Sequence, residues 1–343
     1  MNIALFNPTP DIVAVGKMMT FEGDTVVQVG ESDLQRCSSS FDLVLTSTPS
    51  TPSTNRTFDT SGTVIGGDFH YTRTILTKLG FPCGDESSDP MFSAFVTRYF
   101  DGEKLLTQRG LGIPLVGLCN NDLGPKVPGG CGMRYVGEDV FEDLWTHDLV
   151  LNALQEMSFK GFVSISFEVD ETYFWLVEVT PHVPSYGLFC LLEGVPVPLS
   201  SFFSNPVPTN ESWVVALLVS RFPYPLPLSK GRTHISGFRN STLPHLWSPT
   251  VVRRREAMWC DANLVGVVTS WDRKLYEASG LSLDRAAELE FPDKMYRTDA
   301  QTTIARRWGH LKSLGIVSPE PVSPEPTSSL FPETTTDPVQ SPQ

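Results

Sequence analysis

At 343 residues, 40% apolar and 19% charged, the chain is long enough for two or three domain-like units with full hydrophobic cores. A formal charge of −13 excludes an extended basic surface for nucleic acid, and the one basic knot, Arg253-Arg254-Arg255, runs at once into Glu256 and reads as a solvated face. Six scattered cysteines without a CxxC pair argue for reduced thiols rather than a zinc site or a disulfide framework.

No apolar run reaches the 18 residues of a membrane span, and the N-terminus lacks a basic region followed by an apolar one. The expectation is a soluble, cytoplasmic protein without a signal peptide and without nucleic-acid or membrane partners.

Residues 2–6, 25–29 and 41–45 are short apolar runs bounded by turn residues, and predict three strands of a small α/β unit. Ser47 to Thr57 reads as a Ser/Thr/Pro loop. Val64 to Gly67 closes a strand-like run, and His70 to Gly80 has helical spacing. Phe92 to Phe100 alternates like a strand, and Asp101-Gly102 turns it back into Lys104-Leu105-Leu106. A helix is predicted over about 141–157. Phe162 to Phe167 and Tyr173 to Val179 make the best hairpin, around the acidic turn Glu168 to Glu171. Trp213 to Val219, Val251-Val252, Met258-Trp259 and Leu264 to Thr269 predict a mainly β unit. Helices over about 283–289 and 300–314 follow. In the tail, Val317-Ser318-Pro319-Glu320-Pro321 is repeated at once as Val322-Ser323-Pro324-Glu325-Pro326, and residues 318–343 hold seven prolines and no basic residue. That composition cannot offset ordering entropy, so the tail is expected to be disordered, either solvated or a Pro-rich ligand for a protein partner.

The densest local signal is Asn121 to Gly132, with four glycines and two prolines around Asp122 and Lys126. Glycine frees φ and proline fixes it, so the stretch has a built shape. Backbone N–H groups at that glycine density can approach an anion; a surface turn with no ligand is the alternative.

With its flanks, this stretch resembles the ATP-grasp ligases, and within them the phosphoribosylamine–glycine ligase (glycinamide ribonucleotide synthetase) family. Asp122 to Gly132 matches that family's D-x-GP-x-T-GG-x-G loop with one inserted residue. Glu178-Val179-Thr180-Pro181-His182 stands where the family has E-F-N-x-R, and Tyr296-Arg297-Thr298-Asp299-Ala300 partly matches Y-R-x-D-I-G. The resemblance covers roughly residues 60–317. It implies an ATP-grasp-like α/β (α+β) core and ATP-dependent carboxylate–amine ligation in purine biosynthesis, with ATP and Mg²⁺ as cofactors. It further implies Asp122 and Glu178 as catalytic residues, and Asp122, Gly124, Pro125, Gly129, Gly130 and Arg297 against a small phosphorylated substrate or nucleotide. Glu178 and Thr180 would hold the metal. A Glu on an outward strand face is the plain alternative for Glu178.

The departures from the family pattern are as informative. Only Cys83 to Pro90 is available where relatives carry the nucleotide-binding lid, too short for a compact unit. The hinge acid falls at Asp89-Pro90-Met91-Phe92-Ser93, and a Lys-Arg pair falls near Val116-Gly117, which carry no charge. The metal-binding Asn is Thr180, and the Arg is His182, which lacks the bidentate guanidinium fork. Losing one preorganised donor typically costs about 3 kcal/mol of transition-state stabilisation, so these losses imply weak or absent ligation.

Two readings follow. One is a remnant ATP-dependent carbon–nitrogen ligase. The other is a pseudoenzyme that keeps the fold as a phosphate-binding or protein-interaction module. The expected organisation is a compressed N-terminal α/β unit (1–62), a lidless ATP-grasp-like core (63–205), a C-terminal β-rich unit (206–317) and the tail (318–343). His147 and His310 read as surface or packing histidines.

Overall fold

The computed structural model describes residues 1–6, 8–30, 41–46, 57–59, 90–137, 140–156, 159–193, 195, 197–204, 212–226, 232–239 and 241–317. The strand expected at 64–67, the helix at 70–80, nearly all of the shortened lid segment and the tail lie outside these residues.

The three N-terminal runs are strands β1 (Asn2–Phe6), β2 (Thr25–Val29) and β3 (Leu43–Thr46). With β4 (Thr57–Asp59) they form a parallel sheet in the order β2-β1-β3-β4. Ile3 to Phe6 are buried at its centre, as the continuous apolar run of an inner parallel strand requires. Helix α1 (Pro10–Phe21) connects β1 to β2 and was not anticipated. Its start signal is nonetheless present. The Thr9 side chain accepts the Ile12 N–H at 3.5 Å and Pro10 occupies the first turn. Gly16 obscures the helical pattern, and it is there because Leu5 packs against it; an added methyl would stand 2.7 Å from Leu5 Cδ1.

The expected meander opens the second sheet. β5 (Phe92–Phe100) turns at Asp101-Gly102 into β6 (Leu105–Val116), which runs much further than the three residues expected. Next comes β7 (Pro128–Val136), so the glycine run is largely a strand rather than a loop. The single helix expected over 141–157 is two helices, α2 (Glu142–Trp145) and α3 (Asp148–Glu156). They divide at Thr146-His147, where His147 Nδ1 accepts the Leu149 N–H at 3.1 Å and caps α3. β8 (Gly161–Val169) and β9 (Phe174–Thr180) form the expected hairpin, followed by the short helices α4 (Gly187–Glu193) and α5 (Leu199–Ser204).

β10 (Trp213–Arg221) inserts between β7 and β15 (Leu264–Asp272), and β12 (Leu246–Trp247) lies on the far side of β15. The nine-stranded sheet therefore runs β12-β15-β10-β7-β6-β5-β8-β9, with β16 (Lys294–Met295) paired to β10. Strands from both sides of the expected boundary at 205/206 share this sheet. A small sheet of β11 (Thr233–Ile235), β14 (Ala257–Cys260) and β13 (Val251–Arg254) stands beside it. Helix α6 (Leu275–Glu288) begins eight residues earlier than expected, and α7 (Ala300–Ser313) falls where expected.

Side-chain alternation gives the large sheet two apolar faces. On one, Val163, Ile165, Leu217 and Val268 pack against Leu144, Trp145, Leu154, Ile304 and Leu311. On the other, Phe95, Met133 and Val214 join Ile12, Val15, Leu188 and Phe202 in one cluster. Helix α1 thus shares a core with the large sheet. No described helix is long and apolar enough to cross a membrane.

Candidate functional site

The sequence motifs arrive at two places. The first is the β8–β9 hairpin. Its register sets Ser166 opposite Glu178 and Ser164 opposite Thr180. A β-bulge makes this possible, because Val177 is the extra residue between the pairs Phe167–Leu176 and Ser166–Glu178. Strict alternation would put Leu176 and Glu178 on the same face. With the bulge, Leu176 and Val179 both join the apolar core while Glu178 turns to the opposite face.

That face is polar but unpaired. Among the described residues Glu178 has no hydrogen-bond or ion-pair partner, and burial alone pushes its carboxyl above the usual range. The hydroxyls of Thr180 and Ser164 are buried without a partner, an arrangement that carries a desolvation cost. His182 is partly buried, and desolvation lowers its pKa, so the ring is held neutral. Beyond it, Ser185 and Tyr186 take positive φ values of 46° and 61° immediately before α4. Left-handed backbone at two consecutive non-glycine residues is strained. Burial, then Tyr224 and Asp11, push the Tyr186 phenol up, so these three side chains converge where α1 begins.

The hairpin face offers one carboxylate and several hydroxyls. Mg²⁺ takes hard oxygen ligands in strict octahedral geometry, usually with one or two carboxylates and substrate phosphates. Among the described residues no group of three or more His, Cys, Asp or Glu side chains could hold a metal. The face supplies one carboxylate, its charged form disfavoured by burial, and hydroxyl oxygens, so the remaining ligands of a Mg²⁺ ion here would have to be substrate phosphates or water.

The second place is the turn between β6 and β7. Gly117, Leu118, Cys119, Leu123 and Val127 donate their N–H groups to carbonyls of the same turn, and Asn121 donates its own to Asp299 at 2.8 Å. These six N–H groups are spent inside the protein and are not available to an anion. Asp122 is equally occupied. It accepts Arg297 Nη1 at 2.6 Å on one oxygen and Arg307 on the other. Arg297 is fully buried and also binds Asp299 at 2.9 and 2.7 Å. Burial opposes ionisation of Asp299, but hydrogen bonds from Arg297, Asn121 and Thr303 together with the Arg297 charge outweigh it and hold the carboxyl at about 2. Asn120 and Thr298 exchange two further hydrogen bonds, at 2.8 and 3.0 Å.

The glycines of this motif face protein. A methyl group at Gly129 would stand 2.8 Å from Arg297 Cδ, one at Gly130 2.6 Å from the Ala216 carbonyl, and one at Gly132 2.5 Å from Ile304 Cδ1. Gly124 needs its freedom for a φ of 82°, with Cys119 Sγ at 3.0 Å from the same position. Pro125 closes the turn by accepting Leu118 N–H at 3.1 Å.

The structure thus brings Asp122, Gly129 and Arg297 together, and separately Glu178 and Thr180. The two sets do not meet. β5 and β8 stand between β6 and β9, which separates them by roughly 14 Å at about 4.8 Å per strand. Sequence reasoning missed Ser164 and Ser166, although a polar alternation opposite Glu178-x-Thr180 in an otherwise apolar strand was a readable signal. It also missed Arg307, which lies about two turns into the helix that follows the Tyr296 to Ala300 motif and which no motif marks.

No protein-family model matches the sequence, and no curated protein matches it. Solved structures do. The chain is similar to phosphoribosylamine–glycine ligase from Thermotoga maritima at 12% identity and a TM-score of 0.60, over 87% of this chain and 100% of that one. It is similar to urea carboxylase from Kluyveromyces lactis at 10% identity and a TM-score of 0.51, over 92% of this chain but only 32% of that protein's length. It is also similar to Rhizobium etli pyruvate carboxylase at 9% identity and a TM-score of 0.52, over 92% of this chain and 39% of that one. The fold is ATP-grasp-like.

Proposed function

We propose that this chain, with its ATP-grasp-like fold, acts as a non-catalytic binding module that has given up efficient ATP-dependent carboxylate–amine ligation. The observation that carries the reading is the face around Glu178: one unpaired carboxylate whose charge is disfavoured by burial, flanked by orphaned hydroxyls and a neutral His182. Phosphoryl transfer depends on preorganised positive charge around the moving phosphate, and no cation stands among these residues. The eight residues Cys83 to Pro90, where relatives hold a lid, point the same way. On this reading a protein partner, with the Pro-rich tail as one means of reaching it, is the favoured ligand class, because Asp122 and its arginines are already paired with one another and the Glu178 face offers no cation to a phosphate.

A second reading, a residual ligase resembling phosphoribosylamine–glycine ligase, draws on the strained backbone at Ser185 and Tyr186. Strain of this kind costs on the order of 1–3 kcal/mol per residue and collects at functional sites. Under it Glu178 and Thr180 would contact Mg²⁺ and ATP, and Arg297 would only support the loop.

Thermal-shift titration decides between them. A ligand at 100 times its Kd stabilises by about 2.7 kcal/mol. The binding-module reading expects no Mg-dependent shift with ATP and no ADP release above blank with glycine and phosphoribosylamine. A Mg-dependent shift together with ADP release that Glu178→Ala abolishes would establish the ligase instead.

A further inference from the structure

The second half of α1 and the small β11-β14-β13 sheet enclose a cleft of about 420 Å³ that belongs to neither motif. This volume lies within the range of small-molecule sites. Its walls are mainly apolar, with Met18, Phe21, Leu246, Val251 and Met258 among them, and Phe21 is 61% exposed.

Two cations border this apolar space. Lys17 reaches from α1 across to the sheet side, where its Nζ donates to the carbonyls of Pro249 at 2.8 Å and Val251 at 3.0 Å. An ammonium has three donors, so one remains beyond these two. The two carbonyls hold the charge in place at the cleft while burial pulls the lysine pKa down, the condition in which an anionic partner is most favourable. Arg253 lines the same cleft and is exposed. Its neighbour Arg254 pairs with Asp261 at 3.6 Å, whereas Arg253 has no ion pair among the described residues. Among the described residues Glu256 is the one acid in the lining, which with Lys17 and Arg253 leaves them a net single positive charge.

We infer that this cleft binds a small organic monoanion with an apolar body, of the class of medium-chain aliphatic carboxylates, its head between Lys17 and Arg253 and its chain against Met18, Leu246 and Met258. A cation of the same shape would meet two like charges against the single acid Glu256, and a neutral chain would gain nothing from the two cations. The basic knot that reads from sequence as a wholly solvated face would then contribute one arginine to a site.

The chain has eight methionines, two of which line the cleft. Protein labelled with ¹³C at the methionine methyl groups therefore reports on it directly. Octanoate should shift the Met18 and Met258 resonances saturably while Met133, buried in the large sheet, and Met91, exposed elsewhere, stay in place. Octylammonium should leave all four unmoved. Arg253→Gln, at an exposed position, should weaken octanoate about two- to fivefold. Lys17→Met should weaken it about tenfold or more. If Lys17→Met fails to fold, the arginine variant and the octylammonium control still decide. The inference is overturned by the absence of a saturable shift, by equal response to octylammonium, by shifts of all four methyls alike, or by an unchanged affinity in Arg253→Gln. Neither ATP nor Mg²⁺ enters this experiment, so its failure leaves the reading of the Glu178 face untouched.

Discussion

The β6–β7 turn and the β8–β9 hairpin each carry a stretch that resembles a motif of one ligase family, and the fold treats them in opposite ways. In the turn, each carboxylate is saturated: Asp122 by two arginines, Asp299 by an arginine, an amide and a hydroxyl. In the hairpin, Thr180 and Ser164 are buried and Glu178 is half-buried, and among the described residues none of the three side chains has a partner. A motif whose groups are all satisfied internally is accounted for by the fold alone. One left unsatisfied has a desolvation cost and no structural return.

The sharpest way to break this contrast is Asp122→Ala. It would leave the fully buried Arg297 with Asp299 and the Gly117 carbonyl, and Arg307 with the Pro114 carbonyl in place of a carboxylate, and removing one member of a buried ionic network costs about 3–5 kcal/mol. Urea denaturation should show a lowered midpoint with an unchanged slope. A variant of wild-type stability would mean that the turn is not held by this network.

Next in size are Gly130→Ala and Gly132→Ala. Their new methyls would press on the Ala216 carbonyl and on Ile304, an overpacking that costs about 1–3 kcal/mol. Gly130 should be the worse, because a backbone carbonyl cannot swing aside as a side-chain tip can. Melting temperatures that stay at the wild-type value would return these glycines to a ligand-facing role.

On the hairpin the same logic predicts almost nothing. Thr180→Val removes a hydroxyl that has no partner and keeps the shape, so stability should hold or rise by up to about 1 kcal/mol. A clear loss would reveal a partner for that hydroxyl and end the contrast.

The smallest effect is one of sign. Asp299 is held at about 2, below its ordinary 3.8, so its contribution is present above about pH 4 and is lost as pH falls through 4 toward 2. Glu178 is raised by burial. It therefore costs nothing while protonated at low pH, and destabilises progressively as pH rises through the usual carboxylate range to its raised pKa. Asp299→Asn should be less stable than wild type at neutral pH and Glu178→Gln more stable, and both differences should vanish on acidification. Two gaps of the same sign would mean that the regions are not opposites.

Much of this was legible in the sequence, for reasons that differ by element. β1, β2, β3, β8 and β9 announce themselves because each is a short apolar run ending in turn residues. β6 and β7 do not, because Gly110, Gly112, Pro114 and the Gly129 to Gly132 run look like breakers until the side chains that press on them are known. The order of the three motifs pointed to the ATP-grasp-like fold. What each motif now does could not be read, since the occupation of Asp122 depends on Arg307, a residue more than 180 positions away in the chain. The Lys17 contact across α1 to Pro249 and Val251 is equally invisible before folding.

The insertion of β10 between β7 and β15 has a consequence for biosynthesis. β5, β6 and β7 can form their meander as soon as residue 136 leaves the ribosome, but the outer edge of β7 has no partner until β10 follows. That wait is about 80 residues, or roughly 4–16 s at ordinary elongation rates. During it a buried strand of the finished protein presents an open row of backbone donors and acceptors, the template on which nascent chains pair with one another. The glycines at 129, 130 and 132 leave the first half of that edge with few apolar side chains. A segment shaped by close packing in the finished sheet thereby also offers less apolar surface there while the chain is being made.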